Sequence, residues 1–234
     1  MFSVQSAVVL LVVVNCFLCE YNILFAKKAC SFEDSACTTR AANDAHKLLI
    51  EGVPDQVKTS DPLVKAEIKA ELPDLKYTLS NAKLKGLKNC KVDLVNFEYN
   101  LACPHIVVEG DYDVSGKLDH LPIEGNGKCK VDYDYHILFS GKYEAAKGSD
   151  NKLHVRITSW DVKVDAKGKV NYDIQNLFNG DQEKAAAIGK HVHENSKAVD
   201  DKLRPPAING LMSEYIKNIN DYLKLVPAEV LFAQ

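Results

Sequence analysis

Between Leu75 and Ile174 apolar residues recur at every second position, and after Asn176 they recur at every third or fourth. A period of two belongs to a strand with one buried face, and a period near 3.6 belongs to a helix. Val131, Tyr133, Tyr135, Ile137 and Phe139 alternate with Lys130, Asp132, Asp134, His136 and Leu138, almost all polar. Leu153, Val155 and Ile157 alternate likewise, but Trp160, Val162 and Val164 continue in the opposite phase. An extra residue swaps the two faces of a strand, so a β-bulge is predicted near Ser159. Turn residues at Ser115-Gly116, Gly125-Asn126-Gly127, Ser140-Gly141, Gly148-Ser149-Asp150 and Lys167-Gly168 divide the region into an antiparallel meander.

Helices flank this sheet. Thr38 to Glu51 carries Ala41, Ala42, Ala45, Leu48 and Leu49 on one face, with Thr38 or Thr39 as cap and Gly52-Val53-Pro54 as stop. Asp61-Pro62-Leu63 follows as an extended connector. Towards the C-terminus Ile188, Val192, Asn195, Val199 and Leu203 share a helical stripe, which Pro205-Pro206 is predicted to break or kink. The stripe resumes through Ile208, Leu211, Met212, Tyr215, Ile216, Ile219, Tyr222 and Leu223. So wide an apolar face must be buried, and the inner face of the sheet is the partner on offer. The fold class is α+β, with a long C-terminal helix against an antiparallel sheet. With no internal repeat or linker, residues 20–234 read as a single ligand-binding domain.

The start of the chain predicts its compartment. Ala7 to Val14 are continuously apolar and Phe17 and Leu18 extend the run, which falls short of the ~20 residues a membrane-spanning helix needs. Residues 1–19 therefore read as a signal peptide, with cleavage between 16 and 26, and the product as secreted and extracellular, without integral membrane insertion. An oxidising compartment permits disulfides. Of the 7 cysteines, Cys16 and Cys19 fall in or beside the signal, leaving Cys30, Cys37, Cys90, Cys103 and Cys129, an odd number. Cys30 and Cys37 bracket a short polar segment and are expected to bridge. A turn at Asn96 would set Cys90 opposite Cys103, but pairing of Cys90 with Cys103 or with Cys129 stays open.

Catalytic and metal templates are missing. There is no G-x-S-x-G elbow, no H-E-x-x-H and no paired CxxC motif. Gly125-Asn126-Gly127-Lys128 precedes a strand pattern and lacks the helix that makes a phosphate loop work, so a plain turn is expected. His191 and His193, two apart on a helix, point to different faces and read as a surface pair. Asp132 and Asp134 read as the solvated side of a strand. Net charge is −3 and the lysines are scattered among acids, so no nucleic-acid partner is expected. No enzyme activity, cofactor or metal is assigned. What remains is apolar surface with phenolic hydroxyls, the usual material of a small-ligand site. Strand phase nominates Tyr133, Tyr135, Ile137, Phe139, Tyr143, Trp160, Val162 and Phe178 as ligand-binding residues.

The chain resembles the insect juvenile hormone-binding and takeout-like proteins from Cys30 to Phe232. The resemblance rests on Cys30-x6-Cys37, Asp61-Pro62-Leu63, Gly86-Leu87-Lys88-Asn89, Gly110-Asp111-Tyr112 with Gly116-Lys117, and Leu121-Pro122-Ile123-Glu124-Gly125-Asn126-Gly127. It continues through Asn176-Leu177-Phe178-Asn179-Gly180-Asp181, His193-Glu194-Asn195 and Val226-Pro227-Ala228-Glu229-Val230-Leu231-Phe232. The resemblance implies a highly curved antiparallel sheet wrapped around the long helix, akin to one domain of the bactericidal and lipid-transfer proteins. It also implies a monomeric carrier of a lipophilic molecule, such as a juvenile hormone-like terpenoid, a fatty acid or another long-chain lipid. No cysteine follows Cys129, and Ser196 follows Asn195 where takeout-like members often have Trp. The cysteine pattern leans towards the takeout-like branch. A second reading is a secreted interaction or signalling protein using the scaffold to bind a cell-surface receptor or a membrane, with Lys83, Lys85, Lys88 and Lys91 as candidate contacts.

Overall fold

A computed structural model describes residues 29–31, 33–95 and 98–231. The expected signal peptide and its cleavage region up to residue 26 lie outside the described residues. Helix α1 (Ser35–Glu51) leads into β1 (Leu63–Glu71), β2 (Leu75–Lys85), β3 (Lys91–Val95), β4 (Glu98–Leu118), β5 (Leu121–Lys147), β6 (Leu153–Ala166) and β7 (Asn171–Ile174). Helices α2 (Gln182–Glu194), α3 (Ser196–Leu223) and α4 (Ala228–Leu231) complete the order.

All strand pairings are antiparallel and form one sheet in the order β1-β2-β4-β5-β6, with β3 on β4 and β7 on β5. β5 has 27 residues and α3 has 28. Laid straight they would span about 90 Å and about 42 Å. The strand must therefore curve, and it curves around the helix: β1 at one edge and β6 at the other both pack on α3. The sheet's inner face and α3 make a single core that includes Leu84, Leu101, Ile106, Ile137, Leu211 and Tyr215.

Two edges are closed by asparagine amides rather than by another strand. Asn43 of α1 donates to the Val92 carbonyl at 2.8 Å and accepts from its amide at 3.2 Å. Asn220 of α3 treats Ile157 of β6 the same way, at 3.1 and 2.8 Å. Each carboxamide satisfies the backbone groups that an exposed edge would offer to another chain.

Several local expectations are revised. The cap of α1 is Asp34, whose carboxylate accepts from the Cys37 amide at 2.9 Å, so the helix starts at Ser35, ahead of Thr38. The glycines at 116, 125, 127 and 141 do not divide the sheet into short strands; β4 and β5 run straight through them. Glycine is needed there because another backbone comes close: a Cβ on Gly127 would lie 2.6 Å from the Gln175 oxygen. The bulge near Ser159 is present, since Lys142 faces Ser159 while Tyr143 faces Ile157, leaving Thr158 as the extra residue. The helical break falls at Asn195, with α3 continuing through Pro205 and Pro206. Pro205 and Asp201, the residue whose carbonyl it leaves unpaired, are both exposed, so water can satisfy that group.

Disulfides join Cys30 to Cys37 and Cys90 to Cys103, and Cys129 is a free thiol. Sequence segments far apart also meet. The Asp61 carboxylate accepts from the amides of Gly86 at 3.1 Å and Lys88 at 2.9 Å. Asn176 donates to the Asn126 carbonyl at 2.9 Å, where Gly125 bridges Leu177.

Candidate functional site

The core is not filled throughout. A cavity of about 120 Å³ lies between the middle of the sheet and the N-terminal half of α3. β2 contributes Leu75, Tyr77 and Leu79, and β4 contributes Val108, Tyr112, Val114 and Leu118. β5 adds Ile123, Cys129, Val131, Tyr133 and Tyr135, while β7 and the turn after it add Tyr172, Ile174 and Leu177. The helix closes the cavity with Asp200, Leu203, Arg204, Ala207 and Ile208. Alternation in the strands explains the lining: in β5 the odd positions face inwards, so successive inner residues present a nearly continuous apolar wall.

The wall has one polar place. The Asp200 and Arg204 side chains are 2% and 9% exposed and stand one turn apart on α3. Asp200 Oδ1 accepts from the hydroxyls of Tyr135 at 2.9 Å and Tyr172 at 3.2 Å. Arg204 donates from Nη1 to the Val164 carbonyl and from Nη2 to Asp201, and its guanidinium lies 5.3 Å from the centre of the Tyr135 ring. Tyr135 in turn stacks on Tyr133, ring centres 3.7 Å apart. Burial pushes the Asp200 carboxyl up, while the Tyr135 hydrogen bond, the Arg204 charge and the Tyr172 hydrogen bond pull it back. Burial also raises the Tyr135 and Tyr172 phenols, so both remain neutral donors.

Around the cavity, Tyr77 donates to the Leu203 carbonyl at 2.6 Å and Tyr112 to the Gln175 carbonyl at 2.6 Å. Both hydroxyls are thus turned to backbone, and the rings give the cavity their apolar faces. Among the described residues no helix is long and apolar enough to cross a membrane, and no three His, Cys, Asp or Glu side chains are grouped to hold a metal ion. His191 is largely enclosed rather than a surface residue: Nε2 lies 2.8 Å from Asp119, which also accepts from Lys202 at 2.9 Å.

The family model described as haemolymph juvenile hormone binding protein (JHBP) matches residues 8–233. The chain belongs to this family. Among its relatives, the circadian clock-controlled protein daywake of Drosophila melanogaster is 29% identical over 153 residues, 57% of this chain. That match spans 59% of daywake, less than two thirds of its length. Takeout 1 of Epiphyas postvittana, known from its crystal structure, superposes with a TM-score of 0.81 at 29% identity. The match covers 88% of this chain and 100% of Takeout 1. The JHBP family is named for binding, and its curved sheet and long helix are the architecture described above.

The residues nominated from strand phase separate into groups in this JHBP-family chain. Tyr133 and Tyr135 line the cavity. Ile137 and Phe139 are buried further along β5, where Phe139 packs against Tyr99 and Tyr215 in a filled aromatic cluster. Trp160 and Val162 are partly buried on β6, and Phe178 in the turn before α2, all outside the cavity lining. Tyr143 is 42% exposed. Phase identifies the inner face of a strand but not where along it the core is hollow. Tyr77, Tyr112, Tyr172, Asp200 and Arg204 were not nominated, although an Asp and an Arg four residues apart beside an apolar helical stripe is a legible signal.

Proposed function

We propose that the chain is a secreted carrier that holds a small lipophilic molecule in the cavity between β5 and α3. The observation carrying this reading is the cavity itself: an apolar space between the sheet and the helix, ringed by tyrosines of which Tyr77, Tyr112, Tyr135 and Tyr172 already donate to protein acceptors. At about 120 Å³ it is close to the ~150 Å³ engineered cavity that stays dry and accepts benzene. A longer terpenoid or fatty chain enters only if lining side chains change rotamer. The apolar run at residues 7–14 and the two disulfides support an extracellular setting. Family membership supports the ligand class, and nothing in the site favours juvenile hormone over another apolar molecule.

The test is native mass spectrometry of protein taken from its source, followed by solvent extraction. A single lipid recovered at one per chain is the expected result. Protein that carries no lipid and takes up no apolar probe would overturn the reading.

A further inference from the structure

The cavity has two unlike ends. Along β2, β4, β5 and α3 its lining stops at Leu79, Val108, Tyr135 and Ile208. Ala82, Ile106, Ile137 and Leu211 follow on the same elements, each no more than 1% exposed, and none of them lines the cavity. Tyr133 and Tyr135 stand at that boundary, stacked with ring centres 3.7 Å apart. Tyr135 is braced from three directions. Its hydroxyl donates to Asp200 at 2.9 Å, the Arg204 guanidinium lies over its ring, and Asp200 and Arg204 form a buried ion pair, Oδ2 to Nε 3.1 Å. Tyr172 of β7 donates to the same carboxylate, and Arg204 donates to the Val164 carbonyl of β6. Swinging the Tyr135 ring aside would strip a donor from a buried carboxylate, and Tyr133 is held by the ring stacked on it. The opposite end is aliphatic, made by Leu75, Leu118, Ile123 and Leu177. Such side chains pass between staggered rotamers without breaking a hydrogen bond.

We infer that the Tyr133–Tyr135 stack is a fixed end wall that sets how deep a ligand reaches, and that the cavity lengthens at the Leu118–Leu177 end. The inference rests on the carrier reading and states which molecules the site admits. The apolar tip of an amphiphile meets the wall, because Asp200 and Arg204 are already bound to each other and to the tyrosines. Its polar head lies at the aliphatic end, beside the exposed Asp119-His120 turn that follows Leu118. Bulk near the head is accommodated, and bulk at the tip of the tail is rejected.

Isothermal titration with 2,2-dimethyl-1-octanol and its isomer 7,7-dimethyl-1-octanol tests this, because the two differ only in which end carries the branch. The 7,7 isomer should bind about tenfold more weakly, since extra methyl groups forced against packing that cannot yield are costly. Tyr133→Leu shortens the wall and should bring the two isomers to equal affinity. The comparison in the unaltered protein stands even if that variant does not fold. Binding of neither isomer overturns the carrier reading. Equal binding of both to the unaltered protein, tighter binding of the 7,7 isomer, or a difference unchanged in Tyr133→Leu overturns the end wall alone.

Discussion

The Tyr215 hydroxyl donates to Nδ1 of His46 across 2.7 Å, joining α3 to α1 in the middle of the core. The direction of that bond follows from the other ring nitrogen. Nε2 lies 2.9 Å from the Leu87 carbonyl, which only accepts, so Nε2 carries the proton and Nδ1 must accept. Tyr99 completes the chain by donating to the Tyr215 oxygen at 2.9 Å. Tyr215→Phe removes the donor and leaves the buried His46 Nδ1 with only the Tyr99 hydroxyl, 3.5 Å away, at a cost of about 1–3 kcal/mol. Urea unfolding should show this as a lower midpoint with unchanged slope.

The same histidine makes stability depend on pH. Burial lowers its pKa from the ordinary 6.5, against the raising effects of the Leu87 carbonyl and the Asp61 charge. The folded state therefore binds fewer protons than the unfolded chain below pH 6.5. Its contribution is present in full above that value and is lost as pH falls towards the lowered folded pKa. Between pH 7.5 and pH 5 the thermal midpoint should drop more steeply in the unaltered protein than in His46→Gln. Parallel pH profiles for the two would show that the imidazole is not held neutral.

The Cys90–Cys103 disulfide spans 13 residues and pins β3 to β4. Closing a loop of this size stabilises by about 3 kcal/mol in the chain-entropy account. The Cys30–Cys37 bridge spans 7, so the same account makes it weaker by about half a kcal/mol. The double replacement Cys90→Ala with Cys103→Ala should lower the urea midpoint more than the double replacement at Cys30 and Cys37. The opposite order would mean that strand pairing already restrains Cys90 and Cys103 in the unfolded ensemble.

How far this was legible varies with the kind of signal. Alternation through Val131, Tyr133 and Tyr135 is a direct imprint of burial, so the inner face of β5 could be read from residue types alone. The flip from Ile157 to Trp160 revealed the bulge for the same reason. Glycines mislead because two physical demands call for the same residue. Gly116, Gly125 and Gly127 permit close backbone approach inside long strands, and a reading that knows only local sequence takes them for turns. Asn195 breaks the helix where Pro205 was expected to, because Asn195 doubles its hold on the His191 carbonyl through backbone and side chain, 3.0 Å each. The cavity is harder still. Filled and hollow stretches of β5 have the same alternation, and only three-dimensional volume tells Phe139 from Tyr133.

Three glycines separate crowding from torsion. Gly116 has φ +124°, and a Cβ there would lie 2.2 Å from the Asp74 oxygen, which also accepts from the Lys117 amide at 2.7 Å. Gly168 has φ +111° with nothing within 4 Å, and Gly189 lies in α2 with open space around it. Gly168→Ala should cost about 1 kcal/mol from backbone strain, and Gly116→Ala should cost more because the strand must also shift. Gly189→Ala should stabilise by about 0.5–1 kcal/mol through helix propensity. Thermal midpoints should rank Gly189→Ala highest, Gly168→Ala next and Gly116→Ala lowest, and equal losses at 116 and 168 would remove crowding from the explanation.

Cys129 offers a readout of occupancy that needs no labelled ligand. Its side chain is in the cavity lining, on the same face of β5 as Val131 and Tyr133. Burial pushes the thiol up to about 11, above the usual 9, with the Gly110 hydrogen bond opposing and the charges of Asp111 and Asp173 assisting. Alkylation proceeds through the thiolate, so at pH 8 iodoacetamide should react about a hundredfold more slowly than with an ordinary cysteine. A molecule in the cavity should slow it further by covering the sulfur. Ala207→Phe, which places a ring in the same space from α3, should abolish the extra protection by 1-octanol while leaving the fold intact. If octanol slows alkylation equally with and without that ring, the sulfur is reached from the outer side of the sheet, and protection does not report on the cavity.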